Sequence, residues 1–189
     1  MDSYYKKNIE YIYKEQKLSF AVSQMLFSSF AIDHGTDMLL RHIVLKDPKS
    51  ILDIGCGYGP IGISLAKTHP DAQVTMIDSD LLAVRYTTLN IEKNHTTNAH
   101  VIGSVGMEAV MDQRYDLIVS NVPAKIGDVA ITNEFILTPL DHLNPGGELW
   151  IVVVNALNHL IPRLRGAYDV NIQLVRKRTG HSLYKIVKK

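Results

Sequence analysis

A chain of 189 residues with 46% hydrophobic content and 20 Lys+Arg against 19 Asp+Glu has the length of one domain with a real core. This composition excludes disordered, collagen-like and coiled-coil chains, and the single cysteine, Cys56, excludes a disulfide framework or a multi-cysteine zinc site. One unpaired thiol, no leader-like opening and no apolar run of about 18 residues predict a cytoplasmic protein with no membrane segment.

The first 49 residues read as an added helical and lid-like element preceding the core. Tyr4, Tyr5, Tyr11 and Tyr13 are interleaved there with Lys6, Lys7, Lys14 and Lys17. An amphipathic helix packed on the core is the expected form of this cluster, with RNA stacking the lesser alternative. From residue 50 onward, short β-branched runs alternate with longer amphipathic stretches. Strands are expected at 50–54, 73–78, near 100–102, at 116–120 and at 147–154. The last is almost wholly apolar, as in a strand covered on both faces. Helices are expected from Gly59 to His69, stopped by Pro70, and from Leu81 to about Asn94. Such alternation predicts a doubly wound α/β fold around a mostly parallel sheet. Segments 171–175 and 182–187 predict a C-terminal antiparallel hairpin. Residues 50–189 are expected to form one compact unit.

The richest stretch is Asp53-Ile54-Gly55-Cys56-Gly57-Tyr58-Gly59-Pro60, where the first core strand turns into a helix. In open parallel sheets ligands bind beyond the carboxyl ends of the strands, and glycines there let a ligand approach the main chain. Asp78, nineteen residues beyond Gly59, ends the next strand and is placed to accept from ribose hydroxyls. Gly57, Gly59 and Gly62 also satisfy G-x-G-x-x-G, so a nicotinamide dinucleotide competes as cofactor. Asp53 favours the other candidate. A carboxylate beside the glycines repels a pyrophosphate but suits the cationic S-adenosylmethionine.

The strand at 116–120 leads into Asn121-Val122-Pro123-Ala124-Lys125-Ile126-Gly127. With the glycine loop, Asp78, Asn121-x-Pro123 and Leu143-Asn144-Pro145-Gly146-Gly147, the chain resembles the class I S-adenosylmethionine-dependent methyltransferases. Phe27-Ser28 and Asp33-His34-Gly35-Thr36 with Leu39-Leu40 narrow the resemblance to the methyltransferase small domain family, which includes RsmC-type ribosomal RNA guanine methyltransferases. It implies a Rossmann-like seven-stranded sheet and methylation of an exocyclic amino group of a base, guanine favoured, in ribosomal RNA. Asn121 and the Pro123 turn would orient the acceptor nitrogen, Asp53 would sit at the methionine end, and Gly55, Gly57 and Gly59 would shape the loop. Phe27 and Lys125 would contact substrate.

The sequence departs from the family pattern in three places. Val122 replaces a proline, Ala124 stands where an aromatic is usual, and Gly103-Ser104-Val105-Gly106 lacks the acid that receives the adenine amino group in many relatives. Ser104 or a backbone carbonyl is the expected substitute, and a base-stacking ring must come from elsewhere, such as Phe27, Phe30 or Tyr58, or be absent. The alternatives are a methyltransferase of protein glutamine or a small molecule, and a cofactor-binding protein with a degenerate catalytic motif. No metal is expected, because the eight histidines show no ligand spacing. The chain would act as a monomer or homodimer.

The neutral total conceals regions. Residues 51–159 hold 5 basic and 12 acidic side chains, while residues 160–189 hold 8 and 1. Arg163, Arg165, Arg176, Lys177, Arg178, Lys185, Lys188 and Lys189 are thus candidates for a phosphate-facing rim.

Overall fold

The computed structural model describes residues 3–188, apart from the side chains of 165–167. It opens on a two-stranded antiparallel ribbon, β1 (Tyr5–Tyr13) and β2 (Gln16–Ser23), where a helix was expected. The pattern here has period two. Ile9 and Tyr13 are buried with Leu18, Phe20 and Val22, while Glu10 and Ile12 face out. Lys14 and Glu15 close the hairpin at φ 44° and 68°, the left-handed pair of a tight two-residue turn. The predicted helical extension is therefore corrected to a hairpin followed by a single helix, α1 (His34–His42), capped by Asp33.

Then follow β3 (Ser50–Ile54), α2 (Pro60–Thr68), β4 (Gln73–Asp78), α3 (Leu81–Lys93), β5 (Ala99–Gly103) and β6 (Tyr115–Asn121). After β6 one helical run passes through α4 (Asp128–Thr132), a π-helical turn (Asn133–Leu137) and α5 (Thr138–Asp141). The chain ends with β7 (Leu143–Val154), α6 (Leu160–Ala167), β8 (Val170–Arg178) and β9 (His181–Lys188).

The seven-stranded sheet has the order β5-β4-β3-β6-β7-β9-β8. Strands β3 to β7 are parallel neighbours, while β9 runs antiparallel to both β7 and β8, which forms the expected terminal hairpin. Each face carries its own core. One joins the ribbon, α1, α2 and α3 to the sheet through Phe20, Leu39, Leu65 and Tyr86. The other joins the helical run and α6 through Ile118, Ile136, Leu149 and Ile161. Chain order reverses between β3 and β6, so the sequence leaves a crevice at the carboxyl ends of those two strands.

The N-terminal ribbon is fastened to α3 by two buried amides. Asn90 accepts from the Ala21 N–H at 2.7 Å and donates to the carbonyls of Ala21 and Tyr58; Asn94 makes the matching pair with Ser19. These side chains satisfy the open edge of β2 as a third strand would. No helix among the described residues is long and apolar enough to cross a membrane.

Candidate active site

The crevice is a cavity of about 600 Å³, within the range of pockets that enclose a nucleoside-sized ligand. Its floor is the loop from Gly55 to Gly59. Gly59 caps α2 at φ 89°, where a Cβ would also meet Ile63 Cδ1 at 2.9 Å, and Pro60 starts the helix with no N–H to orphan. A Cβ at Gly57 would meet nothing within 4 Å, so this backbone lies open to a ligand. Gly55 packs against the Phe135 ring. Gly62 serves a different purpose, because a Cβ there would collide with the Met76 side chain, so its hydrogen lets α2 seat on β4.

Asp78 reaches the cavity wall from the end of β4, held by the N–H groups of Gly57 (2.8 Å) and Asp80 (2.9 Å). Burial raises its pKa, and those two donors oppose the rise. Asp53 is placed differently from expectation. It is fully buried and lies behind the loop, outside the cavity lining, with Oδ2 accepting the Gly62 N–H at 2.9 Å and Oδ1 without a partner. Burial pushes its pKa up to about 7, despite the Gly62 donor, and the nearby Asp78 charge adds to the rise. Its position makes it a support for the loop. Cys56 is also buried, and burial together with Asp53 and Asp78 pushes its thiol well above the ordinary range, which removes it as a nucleophile.

Asn121 closes β6 on the opposite wall. Its Nδ2 donates to Asp33 Oδ2 at 2.7 Å and to Thr36 Oγ1 at 3.2 Å. A carboxylate is an obligate acceptor, so the amide orientation is set and Oδ1 is left as an acceptor for a ligand. The same Asp33 oxygen caps α1 through the N–H groups of Gly35 and Thr36. Asp33 stands in the sequence as part of the Asp33-His34-Gly35-Thr36 element, and an Asp just ahead of an apolar-periodic segment is the sequence signal for its capping role.

Val122 is buried, and its N–H donates to the Val152 carbonyl at 2.9 Å. A proline there has no such donor, so in this chain the turn after β6 is tied to β7 by a hydrogen bond instead of by a ring. Pro123, Ala124 and Lys125 are exposed on the rim and line the cavity. Phe27 is also on the lining and 75% exposed, a ring free to meet a base. Phe30 is equally exposed but lies outside the lining, with Lys6 Nζ 3.0 Å from its ring centroid. Tyr58 is buried edge-on against Phe20 and cannot stack with a base from solution.

Ser104 lines the cavity, but its hydroxyl is committed to the Gly106 carbonyl (3.0 Å) and the Ala109 N–H (3.1 Å). Glu134 and His181 complete the wall and were missed, since neither belongs to a readable motif. Among the described residues no set of three or more His, Cys, Asp or Glu converges as a metal site. With Asp33, Asp78 and Glu134 on its wall, the cavity suits a cationic ligand. Of the basic tail, Lys185 pairs with Glu148 and Lys188 with Asp141, Arg163 is exposed on α6, and Arg176, Lys177 and Arg178 are exposed near the β8–β9 turn. Lys189 and the Arg165 side chain lie outside the described residues.

Comparison with known proteins agrees with this layout. The family profile described as "Methyltransferase small domain" matches residues 17–185. An uncharacterized protein of Bacillus subtilis, YbxB, is 30% identical over 181 residues, covering 93% of this chain and 88% of its own. The ribosomal RNA small subunit methyltransferase C of Pseudomonas entomophila is 31% identical over 163 residues, 85% of this chain and 48% of that protein. This chain thus spans about half the length of such relatives. Among solved structures, the T. thermophilus 16S rRNA N2 methyltransferase RsmC, in complex with AdoMet and guanosine, superposes with a TM-score of 0.85 at 24% identity, over 99% of this chain and 51% of that one. A precorrin-6y methyltransferase of Geobacter metallireducens gives 0.69 at 16% identity, a likeness of fold.

Proposed function

The chain belongs to the methyltransferase small domain family, and on that premise we propose that it is a methyltransferase using S-adenosylmethionine to methylate an exocyclic amino group of a base, guanine favoured, in ribosomal RNA. The observation that carries this reading is the fixed amide of Asn121, whose Oδ1 is left to receive an N–H at the lip of a cavity with an acidic wall. The residues present fit the cofactor. Gly57 is open to a flat ligand, Asp78 is steadied by two backbone donors to meet a ribose, and the acidic wall offsets positive charge.

The bound cofactor supplies an electrophilic methyl group on a sulfonium. The chain's part is positioning. An exocyclic amine is a weak nucleophile because its lone pair is conjugated with the ring. Asn121 Oδ1 and the carbonyls of the Pro123 turn accept its hydrogens, which turns the lone pair towards the methyl group and favours transfer by near-attack geometry. Phe27 lies over the mouth as the stacking ring, and Lys125 on the rim meets a phosphate. The loss of an aromatic at Ala124 is thereby met from the N-terminal segment. The ribosomal RNA reading is consistent with a cytoplasmic protein.

The deciding experiment is transfer of labelled methyl from the cofactor to purified ribosomal RNA, with nucleoside analysis of the product. Label in N2-methylguanosine supports the proposal. Label confined to protein or a small molecule, or cofactor binding with no turnover, replaces it with the corresponding alternative.

A further inference from the structure

We propose that Glu134 is the adenine-reading residue, its carboxylate accepting the exocyclic amino group of the cofactor's base; this rests on the S-adenosylmethionine reading above. The loop after β5 carries no acid between Gly103 and Gly106, and the Ser104 hydroxyl is already spent on Gly106 and Ala109. The acid comes instead from the helical run after β6. Gly106 has φ 53°, and a Cβ built on it would lie 3.6 Å from Glu134 Cγ and Oε2, ordinary contact distance, so the Glu134 carboxylate lies against this glycine. The Ser104 N–H bonds to the Asp78 carbonyl at 2.9 Å, which fixes this loop beside the ribose-facing acid. A base attached to a ribose at Asp78 must therefore extend towards Gly106 and Glu134.

The walls around that position suit a purine. Ile54, Ile77, Val105 and Phe135 line the same cavity with apolar surface. Glu134 has no hydrogen-bond or ion-pair partner among the described residues, so its oxygens keep their acceptor capacity for a ligand. Glu134 and Phe135 lie in the π-helical turn Asn133–Leu137, and both line the cavity. An extra residue in one turn shifts the register of the helix face, a feature found often at functional sites. A carboxylate beside the purine 6-position discriminates by sign. An amino group there donates to it, whereas a 6-oxo group sets lone pairs against lone pairs.

The test is calorimetric binding of S-adenosylhomocysteine and its 6-oxo (inosine) counterpart to the full chain. The unaltered protein is expected to prefer the amino form about tenfold or more, the size of one charge-assisted hydrogen bond. Glu134→Ala is expected to lose that preference, weakening the amino form and no longer opposing the 6-oxo form. Glu134→Gln, nearly isosteric and able to donate, is expected to improve binding of the 6-oxo form, which guards against a variant that simply fails to fold. Equal binding of the two compounds by the unaltered protein, or an unchanged ratio in both variants, overturns the assignment while leaving the cofactor reading intact. Failure of the unaltered protein to bind either compound overturns both.

Discussion

The side-chain nitrogen of Asn121 lies 2.7 Å from Asp33 Oδ2, so a residue from the N-terminal segment decides which end of the Asn121 amide is engaged as donor and which is left as acceptor. Asp33 therefore acts as a positioning residue. Replacing it with serine keeps a helix cap for Gly35 and Thr36 but withdraws the carboxylate from Asn121. Turnover of Asp33→Ser is expected to fall about tenfold to a hundredfold, with Asn121→Ala falling at least as far, the scale for losing one preorganised polar contact. Affinity for S-adenosylhomocysteine, which carries no sulfonium charge for the acidic wall to offset, should be unchanged in both. Calorimetry beside single-turnover methyl transfer measures the split, and an equal loss of affinity and rate would show that Asp33 holds the cofactor site instead.

Asp78 bears on affinity and not on chemistry. Asp78→Ala removes the group assigned to the ribose and releases the Gly57 N–H, so binding of S-adenosylhomocysteine is expected to weaken about tenfold or more, near 1.4 kcal/mol. The same calorimetry checks it. An unchanged dissociation constant would move the ribose elsewhere in the cavity.

Asp53 gives the fold a pH dependence. Its carboxyl is raised from 3.8 to about 7 in the folded chain, so the folded state holds a proton that the unfolded state has released. Its stabilising effect is complete below about pH 4 and is lost as the pH rises through about 7, with a ceiling of about 4 kcal/mol. Asp53→Asn imitates the protonated form and keeps an acceptor for Gly62. Denaturant melts at pH 5 and pH 8 should show the variant gaining on the parent chain at the higher pH. A difference between the two proteins that does not change with pH would place the Asp53 proton elsewhere.

Gly62 tests the seat of α2. Its Cβ would strike Met76 Sδ and Cγ in a fully buried position, so Gly62→Ala should cost about 1–3 kcal/mol, as overpacking usually does. Combining it with Met76→Ala, which opens the same space, should recover part of that loss in a double-mutant cycle followed by thermal melting. Strict additivity would mean that the helix shifts instead.

The parts of the molecule visible in the sequence were those fixed by local chemistry. The apolar runs at 50–54 and 147–154 and the glycines after β3 permit few other structures, and they sit where expected. The ribbon was hidden because Tyr and Lys alternate in a way that also fits a helix. What distinguishes the two is the pairing of β1 with β2 and the attachment of β2 to Asn90 and Asn94, some seventy residues away. Asp53 was recognised as part of the loop but not as a buried support, since its depth depends on the helix laid over it. Glu134 carried no signal at all. It lies in a π-helical turn, which has no reliable sequence signature.

Arg176, Lys177 and Arg178 test the RNA reading most directly. They lie exposed at the end of β8, next to the turn that leads into His181 on the cavity wall, whereas Lys185 and Lys188 are held by carboxylates. Only the first group is therefore positioned to reach phosphate beside the cavity. Changing all three to glutamine should weaken binding of a ribosomal RNA fragment and lower the slope of log affinity against log salt by about 2, since each phosphate contact on a single strand contributes about 0.7. Affinity for S-adenosylhomocysteine should not move. The single change Lys185→Gln should leave the salt slope where it was, because that ammonium is partly buried against Glu148, and Lys188→Gln, whose exposed pair with Asp141 must open to reach phosphate, should change it less than the triple change. If either lysine change moves the slope as much as the triple change, the RNA path runs along the length of β9 instead of over the hairpin end.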